Sequence, residues 1–130
     1  MADPEELYRQ VMNVGYHLHN EIGPGLLETV YETLLADRLT ADGFTVEVQK
    51  PIDINLQGRQ FVGAFRVDLI VNSALLVEIK SVENLASVHI KQALTYIRLL
   101  NMPLGMLINF GGATFKGNIK RIMNDRTAQP

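Results

Sequence analysis

Two short runs in the middle of the chain, Arg66-Val67-Asp68 and Glu78-Ile79-Lys80, carry charges at alternating positions inside otherwise apolar stretches. Side chains two residues apart on a β-strand point to the same face, so Arg66 goes with Asp68 and Glu78 with Lys80. Asn72-Ser73-Ala74 reads as the loop of a hairpin joining the two runs, which pairs Val71 with Leu75. Continuing that register sets Asp68 opposite Glu78 and Arg66 opposite Lys80, with Cβ atoms of opposed residues roughly 4.5–5.5 Å apart. Two carboxylates so close repel unless positive charge lies between them, and Mg²⁺ or Mn²⁺ with oxygen ligands meets that need. The other face, Val67, Leu69, Val77 and Ile79, is apolar throughout. A plainer reading competes: the four charges form crossed ion pairs on the solvated face of an antiparallel hairpin.

The elements that must hold these residues follow from periodicity. Asp3 as a cap, Pro4 in the first turn and Glu6 at the capping-box spacing start a helix. Leu7, Val11, Val14 and Leu18 carry it to about Asn20. Gly23-Pro24-Gly25 breaks it, and Leu27, Val30, Tyr31, Leu34 and Leu35 resume a helical pattern that ends near Gly43. The first third is therefore a helical hairpin. From Phe44 the period becomes two, through Val46 and Val48 and again, after Pro51, through Ile52, Ile54 and Leu56, with Gln57-Gly58-Arg59 as a turn into a third strand. Phe65 to Val71 and Leu75 to Lys80 are further strands. A helix capped by Ser87 runs to about Leu100, and Pro103 ends it. Leu104 to Phe110 is a buried strand, Ile119 to Met123 a weak last one, and Thr127 to Pro130 a frayed tail. Strand, helix, strand from Leu75 to Phe110 predicts a right-handed crossover between parallel neighbours.

Composition narrows the class. The chain has 130 residues, 47% of them hydrophobic, which suits one domain over residues 1–130 with one core. Twelve Lys and Arg face 14 Asp and Glu, a net charge of −2, so any contact with a polyanion must be local. Lys116, Lys120, Arg121 and Arg126 are the basic cluster that could supply it, or else a solvated face. The absence of cysteine excludes disulfides, thiol nucleophiles and cysteine metal sites. With no signal-like segment and no long apolar run, a soluble, cytoplasmic protein with no membrane contact is expected.

Asp68, a nine-residue gap, then Glu78-Ile79-Lys80 resembles the bipartite motif of PD-(D/E)XK nucleases, with Val67 where that superfamily's proline often stands. Gly25-Leu26-Leu27-Glu28-Thr29-Val30-Tyr31 is similar to the signature of the GxxExxY protein family, a small branch of that fold, and the likeness runs from about His19 to Asn124. The resemblance implies an α/β (α+β) fold with a restriction-endonuclease-like mixed sheet flanked by helices. It implies a metal-dependent phosphodiesterase in which Glu28, Asp68 and Glu78 bind Mg²⁺ or Mn²⁺ and Lys80 orients water or stabilises developing charge. Gln92 and Tyr96 resemble the QxxxY element of exonuclease-type relatives, where they position the strand or the water, and with His89 they lie on one helix face. The substrate implied is nucleic acid, DNA ahead of RNA, and a homodimer is compatible with it.

Several of these residues have a second reading. Glu28 is otherwise an exposed helix glutamate. Arg66 either clamps the scissile phosphate or neutralises Asp68. His17 and His19 suit the last turn of a helix, where histidine complements the dipole, although His19 could also face the site as a substrate-positioning group. Tyr31 is core, with a hydroxyl that could reach Glu28. The alternative function is a non-catalytic module on the same fold that binds nucleic acid or a protein.

Overall fold

In the computed structural model, which describes residues 3–126, the Asp3 carboxylate accepts from the Glu5 amide at 3.2 Å and Pro4 opens helix α1 (Pro4–Ile22). Glu6 does not close a capping box; its carboxylate turns outward to Arg9 and Gln10. The helix runs two residues beyond the expected end. It stops at Gly23, whose φ of +80° suits glycine and whose amide donates to the His19 carbonyl. Helix α2 (Glu28–Ala41) buries Tyr31, Leu35, Ala36 and Leu39 against Leu7, Val11 and Leu18 of α1. Arg38 of α2 grips Glu21 of α1 through both guanidinium nitrogens, at 2.6 and 3.1 Å. The tail expected at Thr127 to Pro130 lies outside the described residues.

Five strands form one sheet in sequence order: β1 (Val46–Leu56), β2 (Arg59–Val71), β3 (Leu75–Lys80), β4 (Leu104–Asn109) and β5 (Ile119–Met123). All neighbours are antiparallel except β3 and β4, which helix α3 (Ser87–Leu99) connects as a parallel pair. This is the mixed, helix-flanked α+β sheet expected. The helical hairpin packs on one face and α3 on the other, each over its own apolar cluster.

Three details depart from the period-two reading. The runs ending at Val48 and starting at Ile52 are one strand, and Pro51 is tolerated inside it because β1 is an edge strand bonded only to β2. Likewise the strand after Gln57-Gly58 and the run to Val71 form a single 13-residue β2. Val67, moreover, does not share a face with Leu69: it packs in the α3-side cluster, whereas Leu69, Val77 and Ile79 pack under the helical hairpin. The helix expected to be capped by Ser87 is capped one residue earlier, at Ala86, whose amide donates to His89 Nδ1 at 3.0 Å.

Candidate active site

The ladder between β2 and β3 begins as the hairpin loop dictates, Val71 opposite Leu75, Ile70 opposite Leu76 and Leu69 opposite Val77, and there it stops. Beyond that point carboxylates take the place of backbone carbonyls. The Asp68 amide donates to Glu78 Oε2 and the Ile79 amide donates to Asp68 Oδ2, both at 2.8 Å. Asp68 and Glu78 thus plug a fork in the sheet. Arg66 is not set against Lys80: it is exposed and lies opposite Pro51 on β1, while Lys80 runs beside Asn109 on β4.

The crossed ion pairs of the plainer reading do not form. Among the described residues, none of the five salt bridges involves Arg66, Asp68, Glu78 or Lys80. Asp68 instead takes a neutral partner, Gln49 of β1, whose Nε2 donates to Asp68 Oδ1 at 2.9 Å and also to Glu32 Oε1 of α2.

Glu78 is 5% exposed. Burial, and then the neighbouring Asp68 charge, push its carboxyl group up to about 8, against the pull of the Asp68 amide and of Lys80. Glu32 is also raised, first by burial and then, against the pull of the Gln49 bond, by Asp68 and Glu28. The Tyr96 hydroxyl is raised by burial and by Glu78 and Asp68. Glu28, Glu32, Asp68, Glu78, Lys80 and Tyr96 therefore act on one electrostatic site.

Local structure explains how each arrives there. Glu28 is the first residue of α2, and the loop before it is pinned three times: Tyr31 donates its hydroxyl to the Gly23 carbonyl at 2.6 Å and accepts from the Leu26 amide at 3.1 Å, and Ser81 Oγ donates to the Leu26 carbonyl at 2.6 Å. The Tyr31 hydroxyl therefore serves the loop and not Glu28. Gly25 has a φ of +115°, open to glycine and strained for other residues. At the far end of β3, buried Asn109 accepts from the Val82 and Gly111 amides at 3.0 Å and donates to the Val82 carbonyl at 2.8 Å and to Asn118 Oδ1 at 2.9 Å. Tyr96 of α3 stacks on Phe65 of β2, with ring centroids 4.1 Å apart, and Gln92 is exposed one turn earlier.

His19 lies elsewhere in the core: it is 5% exposed, donates from Nε2 to the Gly112 carbonyl at 2.9 Å and packs against Phe110 and Phe115. The basic cluster is also divided, since Arg121 is tied to Glu5 and lies over the Tyr8 ring. An open groove of about 550 Å³ along α1, lined in part by Tyr8, Met12, Tyr16 and Phe115, includes none of the fork residues.

Glu32 and Gln49 are the site residues that sequence reasoning missed. Glu32 left one signal, a like charge four residues after Glu28, which is unfavourable on an isolated helix. Gln49 left none.

Among the described residues, no three His, Asp or Glu side chains are already drawn together as a metal-holding group. The donor chemistry nevertheless fits a hard cation: the groups are all oxygen ligands, and Glu78 is buried beside a second carboxylate and takes part in no ion pair among the described residues. Asp68 and Glu78 would hold such an ion, with Glu28 in electrostatic reach.

Residues 5–122 match the family model described as the PD-(D/E)XK nuclease superfamily. Among solved structures, one titled "Crystal structure of SSO0001" aligns with a TM-score of 0.53 at 18% identity, over 78% of this chain and 52% of that one. At that identity the likeness concerns the fold, and this chain spans about half the length of that structure. No curated protein matches.

Proposed function

The chain belongs to the PD-(D/E)XK nuclease superfamily, and on that premise we propose that it is a metal-dependent nuclease working at the fork between β2 and β3. The observation that carries this reading is the pair of carboxylates, Asp68 and Glu78, each bound to a backbone amide of the opposite strand, Glu78 to that of Asp68 and Asp68 to that of Ile79, with neither in an ion pair among the described residues. We further place it in the GxxExxY branch, because all three signature positions have physical work: Gly25 adopts a left-handed turn, Glu28 opens α2 beside the fork, and Tyr31 pins the loop between them.

In this mechanism Asp68, Glu78 and Glu28 would hold Mg²⁺ or Mn²⁺, which when bound would supply Lewis-acid polarisation of a phosphodiester. Asp68 and Glu78 are kept in place by the backbone of the opposite strand, so little reorganisation is needed. Lys80 offers its ammonium to the charge that builds on the phosphoryl oxygens. Tyr96, fixed by its stack on Phe65, and Gln92 one turn away orient the strand. DNA is the favoured substrate over RNA.

The test is incubation of the purified protein with labelled single- and double-stranded DNA and RNA, in Mg²⁺, Mn²⁺ or EDTA, beside Asp68→Asn and Lys80→Ala. Cleavage that needs the cation and falls at least about 100-fold in both variants is expected, as removal of one charge-stabilising group predicts. Retention of nucleic acid without cleavage under any condition would instead establish the non-catalytic binding module.

A further inference from the structure

Gln49 sits in the middle of a strand with φ at +50°, a conformation that residues with a Cβ rarely adopt. The register is kept immediately on either side, with Val48 opposite Leu69 and Lys50 opposite Val67, so no residue is inserted or lost at Gln49; the register shift of this ladder lies farther on, between Ile52 and Ile54. One residue alone is inverted. The consequence shows in the packing, because Val46 packs under the helical hairpin whereas Ile52 and Ile54, of the same parity, pack under α3. On β2 the same reversal falls between Val67 and Leu69, at Asp68. The face reversals of the two strands therefore meet at the Gln49 and Asp68 positions. A left-handed non-glycine residue persists where the surroundings hold it, and such positions gather at functional sites.

The Gln49 carboxamide supplies the holding contacts. Its Nε2 donates to Asp68 Oδ1 at 2.9 Å and to Glu32 Oε1, which uses both of its hydrogens. Asp68 Oδ2 meanwhile accepts from the Ile79 amide. With one oxygen bound from β1 and the other from β3, the carboxylate has no free rotation. An amide is suited to this place because it donates to two carboxylates without a charge that would compete with a cation for Asp68.

We propose that Gln49 is a positioning residue that acts through Asp68: its carboxamide fixes the Asp68 carboxylate in the fork and stands between it and Glu32. The effect on metal binding rests on the reading of Asp68 as a ligand; the effect on the carboxylate does not.

The experiment uses the full-length ¹⁵N-labelled protein and Gln49→Met, which keeps side-chain length and removes both donors. Two quantities are measured: amide exchange of Ile79 against Val77, in the paired part of the same strand, and the Mn²⁺ dissociation constant by calorimetry. In Gln49→Met, Ile79 exchange rises at least tenfold relative to Val77, and Mn²⁺ binds at least fivefold more weakly. If Ile79 and Val77 accelerate equally, or neither changes, Gln49 contributes only general stability and the proposal is overturned; unaltered Mn²⁺ affinity in a folded variant overturns its metal part. If the wild type binds no Mn²⁺, the nuclease reading fails, and the Ile79 to Val77 ratio still decides whether Gln49 positions Asp68.

Discussion

Glu78 ionises at a cost, because burial and the Asp68 charge both disfavour its carboxylate and lift it from an ordinary 4.5 to about 8. In the unfolded chain the same group titrates near its ordinary value. The native state is therefore unpenalised below about pH 4.5, loses stability as pH rises, and has lost the full amount once pH passes about 8. The expected size is on the order of a few kcal/mol. Urea unfolding of the wild type and of Glu78→Gln at pH 5 and pH 8 measures it. The wild type should be less stable at pH 8 by more than the variant is, and millimolar Mn²⁺ should restore the wild type selectively. Equal pH dependence in the two proteins would refute the account. The candidate site was partly legible at this scale. Asp68, Glu78 and Lys80 announce themselves by alternating charge in apolar strands, but Gln49 is an ordinary residue whose left-handed backbone leaves no trace in its type.

At the scale of elements, the carboxylates depend on two pinned connections. The first is the α1–α2 loop, held by the Tyr31 hydroxyl at Gly23 and Leu26. Tyr31→Phe keeps the ring stacked on Phe110, at 4.7 Å, and removes only these bonds. A loss of about 1–2 kcal/mol is expected, with a larger fall in cleavage rate than stability alone explains, because Glu28 follows the loop; matched melting and rate measurements separate the two. The second is the β4 exit, where a Cβ on Gly111 would lie 2.4 Å from the Val82 carbonyl oxygen. That oxygen is backbone and cannot move aside as a side-chain tip would. Gly111→Ala should therefore cost about 1–3 kcal/mol or more, and a melting temperature within 1–2 °C of wild type, a shift worth only a few tenths of a kcal/mol, would show that the exit relaxes. The elements themselves were legible because their codes are local: Pro4 and Gly23 bound α1, Gln57-Gly58 and Asn72-Ser73 make tight turns with positive φ, and an apolar run on each side of α3 specifies the parallel pair. The fork was not, since extending a hairpin register assumes that the ladder continues, and here side chains replace it.

For the whole molecule, a net charge of −2 gives no general attraction to nucleic acid, so the distribution of cations matters more than their number. Arg9, Arg38, Lys50, Arg98 and Arg121 are each neutralised in an ion pair. Arg59, Arg66 and Lys80, on the two strands that form the fork, take part in none of these pairs among the described residues. Lys91, Lys116, Lys120 and Arg126 are likewise in none of these pairs among the described residues, so open positive charge is shared between the fork strands and other surfaces, whereas Arg121 of the basic cluster that the sequence alone made the candidate phosphate patch is tied up. Arg66, exposed two residues before Asp68, is the cation best placed to meet a phosphate beside the fork. Each phosphate neutralised on duplex DNA contributes roughly 0.9 to the slope of log affinity against log salt. Binding of a short labelled duplex to the non-cleaving Asp68→Asn protein, followed by anisotropy from 50 to 200 mM salt, should therefore show a shallow slope of about 2–3. Arg66→Gln in that background should lower it by about one, whereas Arg121→Gln should leave it unchanged because Glu5 already neutralises that guanidinium. The opposite result, a slope that responds to Arg121 and not to Arg66, would move the nucleic acid off the fork and onto the α1 and β5 edge.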